Sequence, residues 1–182
     1  MTFQYPHSIE NGHGEKITFL RRISDPQGDW LEVENHVSPK AGPPMHVHYL
    51  QAESLTVVQG QMAAQVLGEE PQFLRPGETG EFKAGVPHKF WNPGAETLIC
   101  KGWIKPADNI EYFLGEIYKS TAANGGRPGA FDSAWLLQRY RSEFDILDLP
   151  PFVRKVIFPI VLFWGNLTGK DKKFADAPPP RR

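Results

Sequence analysis

The most informative segment of the chain is Gly42-Pro43-Pro44-Met45-His46-Val47-His48, and Glu53 and Gly60 follow it at short intervals. Residues two apart on a β-strand point to the same face, so His46 and His48 can aim two ring nitrogens at one point. The residue between them faces away. This spacing suits chelation of a metal ion.

A second block follows further along the chain. It contains Gly77 and the segment Gly85-Val86-Pro87-His88-Lys89-Phe90-Trp91-Asn92. Together the two blocks resemble the two motifs of the cupin superfamily, G-x5-H-x-H-x3,4-E-x6-G and G-x5-P-x-G-x2-H-x3-N. The match covers residues 42–92, and the resemblance implies a barrel over about residues 15–105.

Two positions depart from these motifs. Strict spacing would place the first glycine at Lys40, whereas the chain has Gly42, and Lys83 replaces the proline of the second motif. Pro43 and Pro44 can rigidify the entry to the histidine strand in place of that glycine. Neither departure removes a candidate metal ligand.

The candidate metal ligands are His46, His48, Glu53 and His88. Polar residues on the wet face of a strand would be the better explanation of one histidine, but not of four residues at the cupin intervals. This mixed nitrogen and oxygen set accepts one divalent ion of iron, manganese, nickel, cobalt, copper or zinc, and the sequence does not choose between them. Glu53 is also the candidate catalytic residue, because a carboxylate that detaches from an ion can accept a substrate proton.

Several nearby residues have competing interpretations. Tyr49 and Gln51 are alternative acid or base groups near the rim of the site. For Asn92 we favour a turn role, because Asn-Pro-Gly is turn chemistry by itself. For Cys100 we favour a buried inert thiol. For His36 we favour an ordinary surface histidine, although on the strand before the motif it could reach the cavity mouth.

Composition bounds the class of protein. The 182 residues are 40% hydrophobic, enough for one domain with a core and an appendage. A formal charge of −1 gives no electrostatic reason to expect nucleic acid. Cys100 is the single cysteine, which excludes an intramolecular disulfide, and residues 1–15 do not read as a secretory signal. We therefore predict a cytoplasmic protein.

Short β-prone runs separated by Gly, Pro, Asp and Asn are typical of an antiparallel barrel. The predicted fold is mainly β, a single cupin barrel of the jelly-roll type over residues 1–105 with a C-terminal α-helical extension. The predicted strands are Lys16–Ile23, Trp30–Val37, Met45–Tyr49, Glu53–Gln59, Gln61–Leu67, Glu78–Phe82, His88–Asn92 and Thr97–Trp103.

The extension, residues 106–182, has helical periodicity. The pattern predicts a helix over Asn109–Lys119 with Asp108 as its N-cap, and a second over Phe131–Leu147. A third should follow Pro150-Pro151 and kink at Pro159. The rest is predicted to be a disordered basic tail.

The apolar part of the third helix is too short to cross a bilayer, so no transmembrane segment is expected. For residues 152–168 we favour a helix laid on the barrel or on a partner subunit over contact with a membrane surface. The family resemblance also implies a homodimer.

The resemblance implies a metal-binding protein, and similarity to the quercetin dioxygenase-like cupins favours a metal-dependent dioxygenase that acts on a small organic molecule. The alternatives are a non-catalytic metal- or ligand-binding module that acts as a sensor or interaction protein, a cupin isomerase, and a plain structural barrel.

Overall fold

The computed structural model describes residues 3–26 and 28–181. Its strands are β1 (His7–Glu10), β2 (Glu15–Asp25), β3 (Gly28–Val37), β4 (His46–His48), β5 (Ala52–Gln59), β6 (Met62–Val66), β7 (Gln72–Leu74), β8 (Thr79–Phe82), β9 (His88–Trp91), β10 (Leu98–Lys105) and β11 (Phe144–Ile146). Its helices are α1 (Ile110–Ala123), α2 (Ala130–Arg139) and α3 (Phe158–Leu167). A π-helical turn, Val153–Ile157, precedes α3, and a 3₁₀ turn, Lys170–Phe174, follows it.

The strands form two antiparallel sheets. One has the order β1-β2-β3-β10-β5-β8 and the other β11-β4-β9-β6-β7. Along β3 inward and outward residues alternate, so Leu31, Val33, Asn35 and Val37 are buried while Glu32, Glu34 and His36 are partly exposed. The mainly β barrel with C-terminal helices is therefore confirmed.

The extension contributes a strand to one of the barrel sheets, which its helical periodicity does not predict. The second predicted helix, Phe131–Leu147, is wrong beyond Arg139, because Phe144–Ile146 forms β11 and pairs with β4. Exposed backbone at the edge of a sheet needs hydrogen-bond partners, and that requirement outweighs helical periodicity here. Asp108 is not the N-cap of α1 either. Asn109 holds that position, without a side-chain cap.

The basic tail is packed over residues 170–181, so its predicted disorder is wrong there. Phe174 is buried and stacks on Trp135 of α2 with ring centroids 4.2 Å apart. Backbone carbonyls of the tail accept hydrogen bonds from the side chains of Tyr140, Asn109 and Ser142. The division of the chain at residue 105 stays a prediction.

The departure in the first motif has a structural basis at the entry to β4. Lys40, which stands where the motif has glycine, adopts the left-handed φ of 66°. Gly42 has a φ of 152°, and a Cβ on it would lie 2.3 Å from the carbonyl oxygen of Phe90. The chain therefore keeps the left-handed turn without its glycine and needs glycine two residues later.

We expect Gly42→Ala to lower the free energy of unfolding by more than about 2 kcal/mol, since the methyl group meets backbone that cannot move aside. Gly77→Ala is the matched control, because Gly77 has a φ of 90° and nothing within 4 Å of its Cβ position. Urea unfolding followed by tryptophan fluorescence should show a loss of only about 1 kcal/mol there. Equal losses would contradict the assigned close approach.

Candidate metal centre

Both sheets contribute to the predicted cluster. His46 and His48 lie on β4 and His88 on β9, and His46 pairs directly with His88 across the sheet. Glu53 lies on β5 of the other sheet, on the same inward face as Leu55. One ligand atom from each of the four residues lies within 4.8 Å of those from the others.

Hydrogen bonds to backbone carbonyls orient two of the imidazoles. His46 Nδ1 lies 2.8 Å from the carbonyl oxygen of Pro44, and His88 Nδ1 lies 2.8 Å from that of Val86. A carbonyl can only accept, so each Nδ1 carries the hydrogen. In the neutral ring this leaves the Nε2 lone pair free to act as a metal ligand.

The distances within the cluster fit a bound metal ion. Glu53 Oε2 lies 3.4 Å from His88 Nε2 and 4.0 Å from His48 Nε2. Two nitrogen or oxygen ligands held about 2.1 Å from one ion lie about 3.0 to 3.4 Å apart in octahedral or tetrahedral geometry. The first distance falls in this range and the second needs only a small side-chain adjustment. The residues present therefore fit a divalent transition metal.

The protonation states suit the same chemistry. Burial, reinforced by the charge of neighbouring imidazoles, lowers the pKa of His46 to about 4 and that of His48 to about 3. Burial raises the pKa of Glu53, but the hydrogen bond to His88 and the nearby imidazoles outweigh it, so the net pKa is lowered. At neutral pH the cluster thus combines the neutral imidazoles of His46 and His48 with an ionised carboxylate.

Aromatic rings hold the buried imidazoles in place. Phe82 stacks on His88 with centroids 4.0 Å apart and an interplanar angle of 7°. Phe144 of β11 packs edge-on against His48 at 5.6 Å. The contribution of Phe144 was not foreseen, because the sequence places it on a helix.

The cluster opens onto a cavity of about 630 Å³ between the barrel and the extension. The cavity is lined by His46, His48 and Glu53 and by mostly apolar side chains of both parts of the chain. The apolar set includes Ile17, Val33 and Ile104 from the barrel, and Phe113, Ile117, Leu137, Val153, Ile157 and Phe158 from the extension.

A second polar region in the cavity wall has no counterpart in the motifs. Glu15 accepts hydrogen bonds of 2.9 Å from the hydroxyl of Tyr118 and from Nδ2 of Asn11. Burial raises the pKa of Glu15 and also that of Tyr118. The sequence signal was too weak to find this group, because α1 supplies the tyrosine from a distant part of the chain.

The structure also bears on the roles predicted for Asn92 and Cys100. Asn92 bonds the carbonyls of Val37 and Glu96 and the amide of Gly94, which supports its turn role. Cys100 is fully buried, and burial raises its pKa to about 12, as expected of an inert thiol.

His36 is a surface histidine, as expected, but Gln51 does not lie at the rim of the site. His36 bonds Glu34 on the outer face at 2.8 Å, while its neighbour Asn35 lines the cavity. Gln51 is buried instead of lying at the rim, whereas Tyr49 is exposed.

No helix among residues 3–26 and 28–181 is long and apolar enough to cross a membrane.

Comparison with known proteins agrees with this geometry. Residues 33–101 match the cupin domain family, and the two-sheet barrel that carries the cluster agrees with a cupin fold over this part of the chain. A solved RmlC-like cupin from Shewanella frigidimarina is 19% identical, with a TM-score of 0.50 over 62% of this chain and 96% of that one. That similarity concerns the fold alone.

Two fungal relatives match over 109 residues. They are the probable oxidoreductase virH of Hypocrea virens, 29% identical, and the oxidoreductase iacF of Pestalotiopsis fici, 28% identical. Each match covers 55% of this chain, with 48% of virH and 53% of iacF. The chain thus spans about half the length of these relatives.

We expect His46→Ala and Glu53→Gln each to weaken binding of a divalent transition metal at least about tenfold, because each removes a ligand from the cluster. Metal content after gentle purification, measured by elemental analysis, checks this expectation. His36→Ala is the control, since His36 lies on the outer face and should leave the metal content unchanged. Undiminished metal in both cluster variants would place the ion elsewhere.

Proposed function

We propose that the protein is a metal-dependent oxidoreductase of the dioxygenase type that acts on a small, largely apolar organic molecule. The observation that carries the proposal is that the His46, His48, Glu53 and His88 cluster opens onto a mostly apolar cavity of about 630 Å³. A cavity of this size suits a small-molecule site. The names of the two fungal relatives support oxidoreductase chemistry.

In this proposal the three histidines and Glu53 hold one divalent ion of iron, manganese, nickel, cobalt, copper or zinc. Such an ion supplies Lewis-acid or one-electron redox chemistry when bound. The carbonyls of Pro44 and Val86 keep the rings of His46 and His88 turned toward the cluster. The apolar walls exclude water from the bound substrate.

Glu53 is the proposed proton acceptor for the substrate. Its lowered pKa keeps the carboxylate ionised at neutral pH, and its side chain is part of the cavity wall. The Glu15 and Tyr118 pair supplies a second polar point that can orient a hydroxyl or carbonyl group of the substrate.

A binding module would account for an extension that the metal site itself did not need. Here α1 and α2 line the cavity, and β11 pairs with the strand that carries His46 and His48. The extension therefore serves the site itself, which favours an enzyme. Removal of residues 106–182 would damage the site, so point variants test the proposal better.

We expect oxygen consumption by the iron, manganese, nickel, cobalt or copper form with flavonols or other enolisable small molecules, and none by the zinc form, because zinc has no accessible redox change. An oxygen electrode measures this for each metal-loaded form, with Glu53→Gln as the inactive reference. A fully loaded protein that is inactive in every form would favour the binding module. Isomerisation without oxygen uptake would favour the cupin isomerase.

We also expect Ile117→Trp to lower substrate turnover at least about tenfold, because the indole fills part of the cavity and displaces the substrate. Metal content should stay unchanged, which separates substrate binding from metal binding. Lys119→Trp is the matched control, since it adds the same ring to an exposed position of α1. Equal activity of both variants would exclude the cavity as the substrate site.

A further inference from the structure

Residues 152–167, here called the lid segment, comprise Phe152, the π-helical turn and α3. Along this segment pairs of partly buried and exposed residues alternate with a period of about four. Val153, Ile157 and Phe158 face the cavity. Gly165 is buried where a Cβ would meet the ring of Phe131, so α3 packs closely on α2.

The opposite side, here called the outer face, is also apolar. Its side chains keep from 40% to 68% of their surface exposed, and they are Phe152, Val156, Ile160, Phe163, Trp164 and Leu167. A helix that is apolar on both sides is normally buried on both. A contiguous exposed apolar patch of this kind marks a surface that something else covers.

The sequence pattern of residues 152–168 favours burial against the barrel or a partner subunit. The inner side of the segment does pack on the rest of the chain, but the outer face has no cover among the described residues. An occupant of the outer face would therefore come from outside residues 3–26 and 28–181.

Charge around the outer face indicates the chemistry of that occupant. Residues 149–182 contain seven lysines and arginines against two aspartates, a net charge of +5 in a chain whose total is −1. Arg154, Lys173 and Arg181 are paired with carboxylates. Lys155, on the outer face, and Lys170 and Lys172, just after α3, are exposed and have no ion pair among residues 3–26 and 28–181.

These cations argue against a second copy of the chain as the occupant. A two-fold interface brings the same patch of each copy together, so the unpaired lysines would face like charges. Anionic lipid headgroups instead complement them, while Phe163 and Trp164 suit the boundary between headgroups and acyl chains.

We propose that the outer face docks on an anionic lipid surface, with the lid segment lying parallel to the membrane plane. This proposal does not depend on the metal centre or on the proposed enzymatic activity.

Vesicle co-sedimentation of the full chain tests the proposal. We expect binding to phosphatidylcholine vesicles that contain about 30% phosphatidylserine, and much weaker binding to phosphatidylcholine alone. Raising the salt from about 0.1 M to about 1 M should release the protein, because it shortens the range of the attraction. Absence of binding to the anionic vesicles would overturn the proposal.

Matched variants locate the contact. Phe163→Ser with Leu167→Ser should reduce partitioning at least about tenfold. Phe73→Ser with Leu67→Ser removes the same two side-chain types from similarly exposed positions on the barrel and should leave partitioning unchanged. Both pairs lie at the surface, and circular dichroism verifies that both variants fold. Equal partitioning of the two variants would refute docking through the outer face.

Lys155→Gln should weaken binding about fivefold, whereas Lys83→Gln, at an exposed position of the barrel, should not. Analytical ultracentrifugation of the same samples tests whether a second copy of the chain occupies the outer face instead. If the protein does not bind vesicles but forms a dimer, and Phe163→Ser with Leu167→Ser dissociates that dimer, the outer face belongs to a second copy of the chain. That result would overturn the proposal.

Discussion

The structure depends on one contact, the approach of His88 Nε2 to Glu53 Oε2 at 3.4 Å in a buried site. The Nδ1 atom of His88 already donates its hydrogen to Val86. In the neutral ring, two acceptors would then face each other, and their repulsion would be strong in an apolar interior. A cation between them, whether a proton or a metal ion, turns this repulsion into attraction. The four-residue cluster therefore makes physical sense as a cation site.

The scaffold around the cluster follows from the shortness of β4. This strand has three residues, too few to hold two imidazoles without partners on both sides. The β9 strand pairs on one side through His46 and His88, and β11 pairs on the other. By pairing with the free edge of β4, β11 satisfies the hydrogen bonds of backbone groups next to the ligands. It also packs Phe144 against His48. The extension thus belongs to the site as much as the barrel does.

The sequence predicts those features of the molecule that depend on the spacing of residues close together in the chain. Alternation along β3 and the shared face of His46 and His48 follow from strand geometry, whereas the barrel and the convergence of Glu53 and His88 on that pair are predicted from the resemblance to cupins. The strand β11 could not be predicted, because Tyr140 and Phe144 are spaced as on a helix and only the needs of a distant strand decide otherwise. The cavity and its Glu15 and Tyr118 pair likewise depend on how α1 packs.

The extension also connects the lid segment, which forms one wall of the cavity, to the metal-ligand cluster. Arg154, in the π-helical turn, donates to the Asp145 carboxylate and to the Ile146 carbonyl, and both acceptors belong to β11. Since β11 is hydrogen-bonded to the strand of His46 and His48, the lid segment reaches the cluster through contiguous polar contacts. A π-helical turn within a helix often marks a functional site, because it widens the backbone at some cost in hydrogen-bond geometry. Here it lies where the inner side faces an apolar cavity and the outer side is exposed. Docking of the outer face on lipid would place the inner side of the lid segment, and with it the cavity, next to the bilayer, where apolar substrates concentrate. This gives one physical reason for both sides of the lid segment to be apolar.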